Sequence, residues 1–248
     1  MKSRLLVFSI SLLVSLSVAQ SQPRNLVPIF DARLNLQQAT VSPSEIALLT
    51  KQAIPKSRAF WKKQGIDCAA NNSEGESFFK VQDVTTGAFT QKGKRQKAIV
   101  YLYCLMLPVD PSQTYSGVAI LEAGRLVQNV PIEGNHYAIG ALPDLNGDGI
   151  SEIITVSGFS LPGGISESHI YVFDLARGIE RGLLDLKVND SNCGSMGESD
   201  LYHNKAVKIY AQRGKRIRFF AETFNDTNAC RENTKPNWRV TSPLKLLK

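Results

Sequence analysis

The chain has only three histidines, His136, His169 and His203, more than 30 residues apart, and no HExxH spacing joins them. A zinc site built on one local motif is thereby excluded. No CxxC pair occurs among the four cysteines, which removes the thioredoxin-like redox motif and the zinc ribbon. A complete G-x-S-x-G is missing as well. "CGSMG" lacks the glycine two before Ser195, and "GFSLP" lacks the one two after Ser160. The strand-to-helix nucleophile elbow of the α/β hydrolases therefore has no candidate. Beyond residue 19 no apolar run reaches the roughly 20 residues that a spanning helix needs. Charge of one sign is not extreme either. Twenty-nine Lys and Arg against 22 Asp and Glu give +7, a balance that argues for solubility before any polyanion.

What is present begins with "MKSRLLVFSISLLVSLSVAQSQP". Lys2 and Arg4 form a basic n-region, Leu5 to Val18 an apolar h-region, and Ser17-Val18-Ala19 a small-residue cleavage site. This is the pattern of a cleaved secretory signal. The expectation is export to the periplasm or the extracellular space, where nucleic acid is not a partner. Without residues 1–19 about 229 residues remain, enough for one sizeable core or two small ones. An even set of cysteines in an oxidising compartment reads as two disulfides. Of three possible pairings, Cys68–Cys104 and Cys193–Cys230 are expected, because each pair flanks one contiguous segment.

Residues 20–40 read as a tether with a short strand around "LVPIF", and residues 41–65 as a helical element. In "SPSEIALLTKQAIP", Ser42, Pro43 and Glu45 make a capping box with proline in the first turn. Ile46, Leu49 and Ala53 are expected on one buried face, with Pro55 ending the run; "SRAFWKKQG" adds a turn or two, stopped by Gly65. From 66 to 248 the texture is that of a disulfide-linked β domain. About ten short segments rich in β-branched and aromatic residues, from "SFFKVQDV" to "RIRFFAETF", are punctuated by Gly, Asn and Asp. The fold class expected is mostly β and antiparallel, an open or propeller-like blade domain behind a short helical element.

A faint internal repeat runs through it. "GAFTQKGKRQKAIV", "PDLNGDGISEIITV" and "KIYAQRGKRIRFF" share a strand, a polar turn and a strand, with turn glycines Gly93, Gly149 and Gly214 spaced by 56 and 65 residues.

The middle copy carries oxygen ligands at alternate positions: Asp144, Asn146, Asp148, the Ile150 carbonyl and Glu152, around Gly149. Hard oxygens converging on a tight turn suit calcium. An EF-hand is excluded, because position 12 is Thr155 and the residues after the loop favour strand. A loop that closes with an acid at position 9 and enters a strand resembles the FG-GAP or VCBS-type repeat, the calcium-binding blade of integrin α-like propellers, over residues 138–181. The resemblance implies a structural Ca2+. The turn at Gly93 reads as a degenerate copy, with Ala88, Thr90, Lys92 and Gln96 at the ligand positions and Lys92 standing where a metal would. Closing a propeller needs four or more blades, so a fourth from the N-terminal part, or partner chains, would be required.

Two basic turns, Lys92, Lys94, Arg95 and Lys97 in one and Arg213, Lys215, Arg216 and Arg218 in the other, form a candidate anionic-ligand patch if the repeats stack side by side. An anionic glycan or a membrane surface would suit it. The loop "GFSLPGGISES", Gly158 to Ser168, is a candidate recognition loop, and sequons stand at Asn71, Asn189 and Asn225. Glu133, Glu167, Asp174 and Glu198 remain unassigned acids. The reading is a non-enzymatic binding or envelope-structural module; an exported hydrolase with an unrecognised site on the β scaffold is the alternative.

Overall fold

A computed structural model describes residues 25–34, 40–68, 78–105, 114–161, 165–176, 181–193, 203–229 and 234–247. The chain is mostly antiparallel β, as expected. β1 (Leu26–Asp31) precedes the helices α1 (Pro43–Leu48) and α2 (Ile54–Lys63), which a π-helical turn joins. Eleven strands follow: β2 (Lys80–Gly87), β3 (Gln96–Leu105), β4 (Thr114–Glu122), β5 (Arg125–Glu133), β6 (His136–Ala141), β7 (Ile153–Leu161), β8 (Ile165–Asp174), β9 (Arg181–Asn192), β10 (His203–Gln212), β11 (Arg218–Asp226) and β12 (Trp238–Leu246).

Four-stranded meanders are the organising unit. β2–β5 form a sheet of their own, in order. β6–β9 and β10–β12 run on in a second sheet, in which β10 pairs with β9 through His203–Ala206 and with β1 through Lys208–Gln212. The short strand expected around "LVPIF" within the tether segment forms as β1 and lies against β10 of the third unit. Gly93, Gly149 and Gly214, all at positive φ, stand in the β2–β3, β6–β7 and β10–β11 turns.

The units stack face to face. Along β3, Ile99, Tyr101 and Tyr103 point to a core shared with Leu49, Ala53 and Ile54 of the helical segment. The alternate residues Ala98 and Val100 point to a second core, shared with Ile139, Ile153 and Phe173 of the second unit. Ile154, Val156, Ile170 and Val172 then face Ile209, Ala211 and Phe219 of the third. A strand buried on both faces reads as an unbroken apolar run, which is why "KAIVYLYCL" lacks alternation. The helices cover the outer face of the first unit.

The capping box forms: Glu45 N donates to Ser42 Oγ at 3.3 Å, and Ser42 N to Glu45 Oε2 at 2.8 Å. Pro55 does not end the helix. Proline clashes with the carbonyl four residues back, and here the wider π turn over Leu49–Ala53 precedes it, so α2 accommodates Pro55 in its first turn. The inserted residue also turns Ile46 away: Leu49 and Ala53 are fully buried, while Ile46 is exposed. Gly65 at φ 84° follows the last turn of α2, as expected.

The helical segment is fixed to the sheet by a cyclic hydrogen-bond triangle. Tyr101 OH donates to Asn129 Oδ1 (2.7 Å), Asn129 Nδ2 donates to Ser57 Oγ (2.8 Å), and Ser57 Oγ lies 2.8 Å from Tyr101 OH. Gly117, opposite Tyr101 on β4, leaves room for the ring. Cys68–Cys104 forms the expected disulfide. Cys193 is also disulfide-bonded; its expected partner Cys230 lies outside the described residues, as do the signal segment and Glu198. No helix among the described residues is long and apolar enough to cross a membrane.

Candidate functional site

The second unit's first turn is held by its own side chains. Asp144 Oδ1 accepts from Gly147 N at 2.6 Å and Asp148 N at 3.2 Å, and Oδ2 accepts from Gly149 N at 2.8 Å. Asn146 Oδ1 accepts from Asp148 N, and Asp148 Oδ1 from Ile150 N, both at 2.8 Å. Gly147 and Gly149, each at φ 85°, make the bends that aim these amides inward. Leu145, fully buried, anchors the loop in the third core. Among the described residues no three His, Cys, Asp or Glu side chains are grouped closely enough to hold a metal as they stand. The carboxylates are turned to backbone donors.

Glu152 is the exception. It is fully buried, its Oε2 accepts from Leu145 N at 2.9 Å, and its Oε1 has no hydrogen-bond partner. Burial pushes its carboxyl up to about 7, and the Asp144 and Asp148 carboxylates add to the rise against the backbone donors. A buried carboxylate oxygen without a donor is costly.

The equivalent position in the first unit, three residues past the turn glycine, is Gln96. Its Oε1 accepts from Phe89 N and Thr90 N, both at 2.9 Å, and its Nε2 donates to Thr90 Oγ1 (2.7 Å) and Glu122 Oε2 (2.8 Å). A neutral amide thus does in one turn what a carboxylate leaves half done in the next. Lys92 was expected in that central place. Instead its stem lies over the neighbouring unit: a Cβ on Gly149 would stand 2.5 Å from Lys92 Cδ. Gly149 is required both for its φ and for this contact.

The three first turns are bonded in series. Ser151 N donates to Ala88 O at 2.7 Å, and Gly214 N to Leu145 O at 2.9 Å. The basic turns therefore lie on one rim, on either side of the acidic loop, but they differ in character. In the first, Lys94 pairs with Glu122 at 3.4 Å and Lys97 with Glu45. In the third, Arg213, Lys215, Arg216 and Arg218 are exposed and make no salt bridge among the described residues. Lys215 and Arg216 border a cleft of about 380 Å³ whose other wall includes Arg181, Asp174 and Asn146. Arg181 was missed in the sequence, because it opens a strand outside any basic cluster.

No family model, curated protein or solved structure matches this chain.

A second cleft, of about 330 Å³, lies where β5 meets the second unit, bordered by Glu133, His136, Ser157, His169, Tyr171 and Asp185. Its histidines are engaged. His136 Nε2 lies 2.8 Å from Glu133 O and must donate, leaving Nδ1 to accept from Thr155 Oγ1 at 3.0 Å. Burial lowers this imidazole to about 4. His169 turns Nε2 to Glu167 Oε1 at 2.6 Å and Nδ1 towards Asp185 Oδ1 at 3.9 Å. Ser157 is the cross-strand partner of both histidines, but the ring nitrogens are engaged by Glu133, Thr155, Glu167 and Asp185. His203 approaches Asp190 at 3.2 Å.

The expected recognition loop is mostly strand. Gly158–Leu161 continue β7 and Ile165–Ser168 begin β8, in register from Gly158↔Ser168 to Leu161↔Ile165. Gly158 lies so close to the Glu167 carbonyl that no side chain fits there. Among the sequons, Asn189 and Asn225 stand inside β9 and β11 with their Oδ1 atoms buried, not in the surface loops that glycan transfer needs; Asn71 lies outside the described residues.

Proposed function

We propose that the chain is an exported, calcium-stabilised β-repeat protein that acts as a binding or envelope-structural module. The contrast between Gln96 and Glu152 carries this reading. The two turns differ at their centres: the first holds an amide donor there, and the second leaves a buried carboxylate oxygen without one. A cation supplies what the amide supplies in the first turn. The donors available are those calcium prefers: carboxylates of Asp144, Asp148 and Glu152, the Asn146 amide oxygen and the Ile150 carbonyl. A loop so tied to its own backbone suits a stapling role. The FG-GAP or VCBS-type resemblance, the Cys68–Cys104 disulfide and the N-terminal segment all agree with it. The hydrolase alternative draws no support from the His169 cleft, where both ring nitrogens face carboxylates.

The experiment is thermal unfolding of the disulfide-intact chain in millimolar calcium and in chelator. An extracellular-type site, with Kd roughly 10⁻⁴–10⁻³ M, adds about 1–2 kcal/mol at several times its Kd. The midpoint rises with calcium, and Asp148→Ala abolishes the rise. An unchanged midpoint in the parent chain would reduce the loop to a polar hairpin turn.

A further inference from the structure

The cleft between the acidic loop and the third unit's first turn gathers cations that the sequence keeps apart. Arg181 comes from the start of β9, and Lys215 and Arg216 from the β10–β11 turn. None of them has a salt bridge among the described residues. Among the described residues the one carboxylate that lines the cleft is Asp174, the register partner of Arg181, 6% exposed, with its pKa raised chiefly by burial. Like charges brought to one concavity repel, so this arrangement has a standing attraction for an anion. Two of the three are guanidinium groups, whose planar forks match the edges of a tetrahedral oxyanion, and the ammonium adds a point charge. Phe219 gives the cleft an apolar part, and Asn146 an amide at its lip.

We infer that this cleft binds a phosphate or sulfate group carried on a sugar. The oxyanion is held by Arg181, Arg216 and Lys215, and the ring lies towards Phe219. This rests on the binding-module reading above and names its ligand class, but it does not require calcium. A membrane surface is the less suitable occupant. A recess of about 380 Å³ between two units takes one compact group, whereas a flat lipid surface calls for a broad cationic face. The first turn adds less to such a face than its four cations suggest, because Lys94 and Lys97 are paired within the chain.

The test is calorimetric titration of the full chain, in chelator, with glucose 6-phosphate, glucose 6-sulfate and glucose. Saturable one-site binding of the two charged sugars is expected, and none of glucose. Arg181→Ala and Arg216→Ala each weaken it about tenfold, while Lys94→Ala leaves it unchanged. Arg216→Lys, which keeps the charge and loses the fork, is expected to fall between parent and alanine variant. Because these side chains are exposed, the thermal midpoints of the variants match the parent, so lost binding is not lost folding. Charged sugars that bind no better than glucose, or bind equally to parent, Arg181→Ala and Arg216→Ala, overturn the inference. So does sedimentation with phosphatidylserine vesicles that depends on Arg181 and Arg216 in a chain that ignores the sugars. Titrating in chelator keeps this outcome separate from the calcium reading, which stands or falls on the calcium-dependent midpoint.

Discussion

Glu152→Gln separates the two consequences of having a carboxylate at that position. The amide keeps an oxygen for Leu145 N, removes a buried charge from beside Asp144 and Asp148, and brings the donor that Gln96 already uses in the first unit. In chelator the variant should therefore be more stable than the parent, by about 1–3 kcal/mol for an unsatisfied buried group relieved. In calcium it should show no further gain, having lost a ligand. Urea denaturation with and without calcium checks both halves; a variant less stable in chelator would mean that the Glu152 charge is satisfied in the metal-free protein. The alternation of Asp144, Asn146, Asp148 and Glu152 was readable in the sequence, because a tight turn brings residues two apart to one side. The meaning of Gln96 was not. Counted against a list of metal ligands it is a missing acid, and only its four hydrogen bonds reveal a substitute. Lys92 misled for the opposite reason: its charge drew attention, while its stem makes the contact.

Among the elements, the helical segment depends on the Ser57–Tyr101–Asn129 triangle more than on its own propensity, since α1, the π turn and α2 are each short. Tyr101→Phe removes the member that both donates and accepts, leaving the Asn129–Ser57 hydrogen bond as the one remaining side of the triangle. A loss of about 1–3 kcal/mol is expected, and it should be local. Amides of α2 should exchange faster with solvent while those of β7 and β8 keep their protection. Equal acceleration in both places would show that the helices and the second unit open together. The elements the sequence concealed have a common cause. β12 contains a proline, Pro243, which argues against a central strand but suits an edge one, and its pairing with β11 carries a register irregularity; β1, which holds Pro28, is the strand expected around "LVPIF", and only its pairing with β10 was hidden. Pro55 hid in the same way, because local rules end a helix there and only a π turn in the preceding residues admits it. Strands buried on both faces, β3 above all, were plain as apolar runs. Which neighbour each face meets follows from stacking, and no local pattern encodes that.

For the whole molecule, the second unit carries two buried titratable groups whose effects on stability run in opposite directions with pH. Glu152 is raised to about 7 from an ordinary 4.5, chiefly by burial, so the folded state takes up its proton first, and the metal-free protein gains stability as pH falls from about 7 to 4.5. His136 is lowered to about 4 from 6.5 by burial, so the unfolded chain takes up its proton first, and stability is lost as pH falls from 6.5 to about 4. Each shift corresponds to about 3 kcal/mol across its window. Glu167 is held below its ordinary value by its hydrogen bonds to Lys187 and His169, and it adds a loss of stability only towards the acid end of the range. In chelator the two slopes oppose each other between pH 6.5 and 4.5, and the parent chain should change little there. Glu152→Gln removes one slope, so its stability should fall by a few kcal/mol over the same range, following His136 alone. Calcium removes the same slope by holding Glu152 ionised, and the metal-bound parent should fall as steeply as the variant. Urea midpoints across this range, for parent and variant in both conditions, test all three profiles together. A flat profile for Glu152→Gln would remove His136 as the opposing group. A parent that falls in chelator as steeply as in calcium would show that Glu152 is not raised in the metal-free fold, and with that the buried, unsatisfied acid that distinguishes the second turn from the first would be gone.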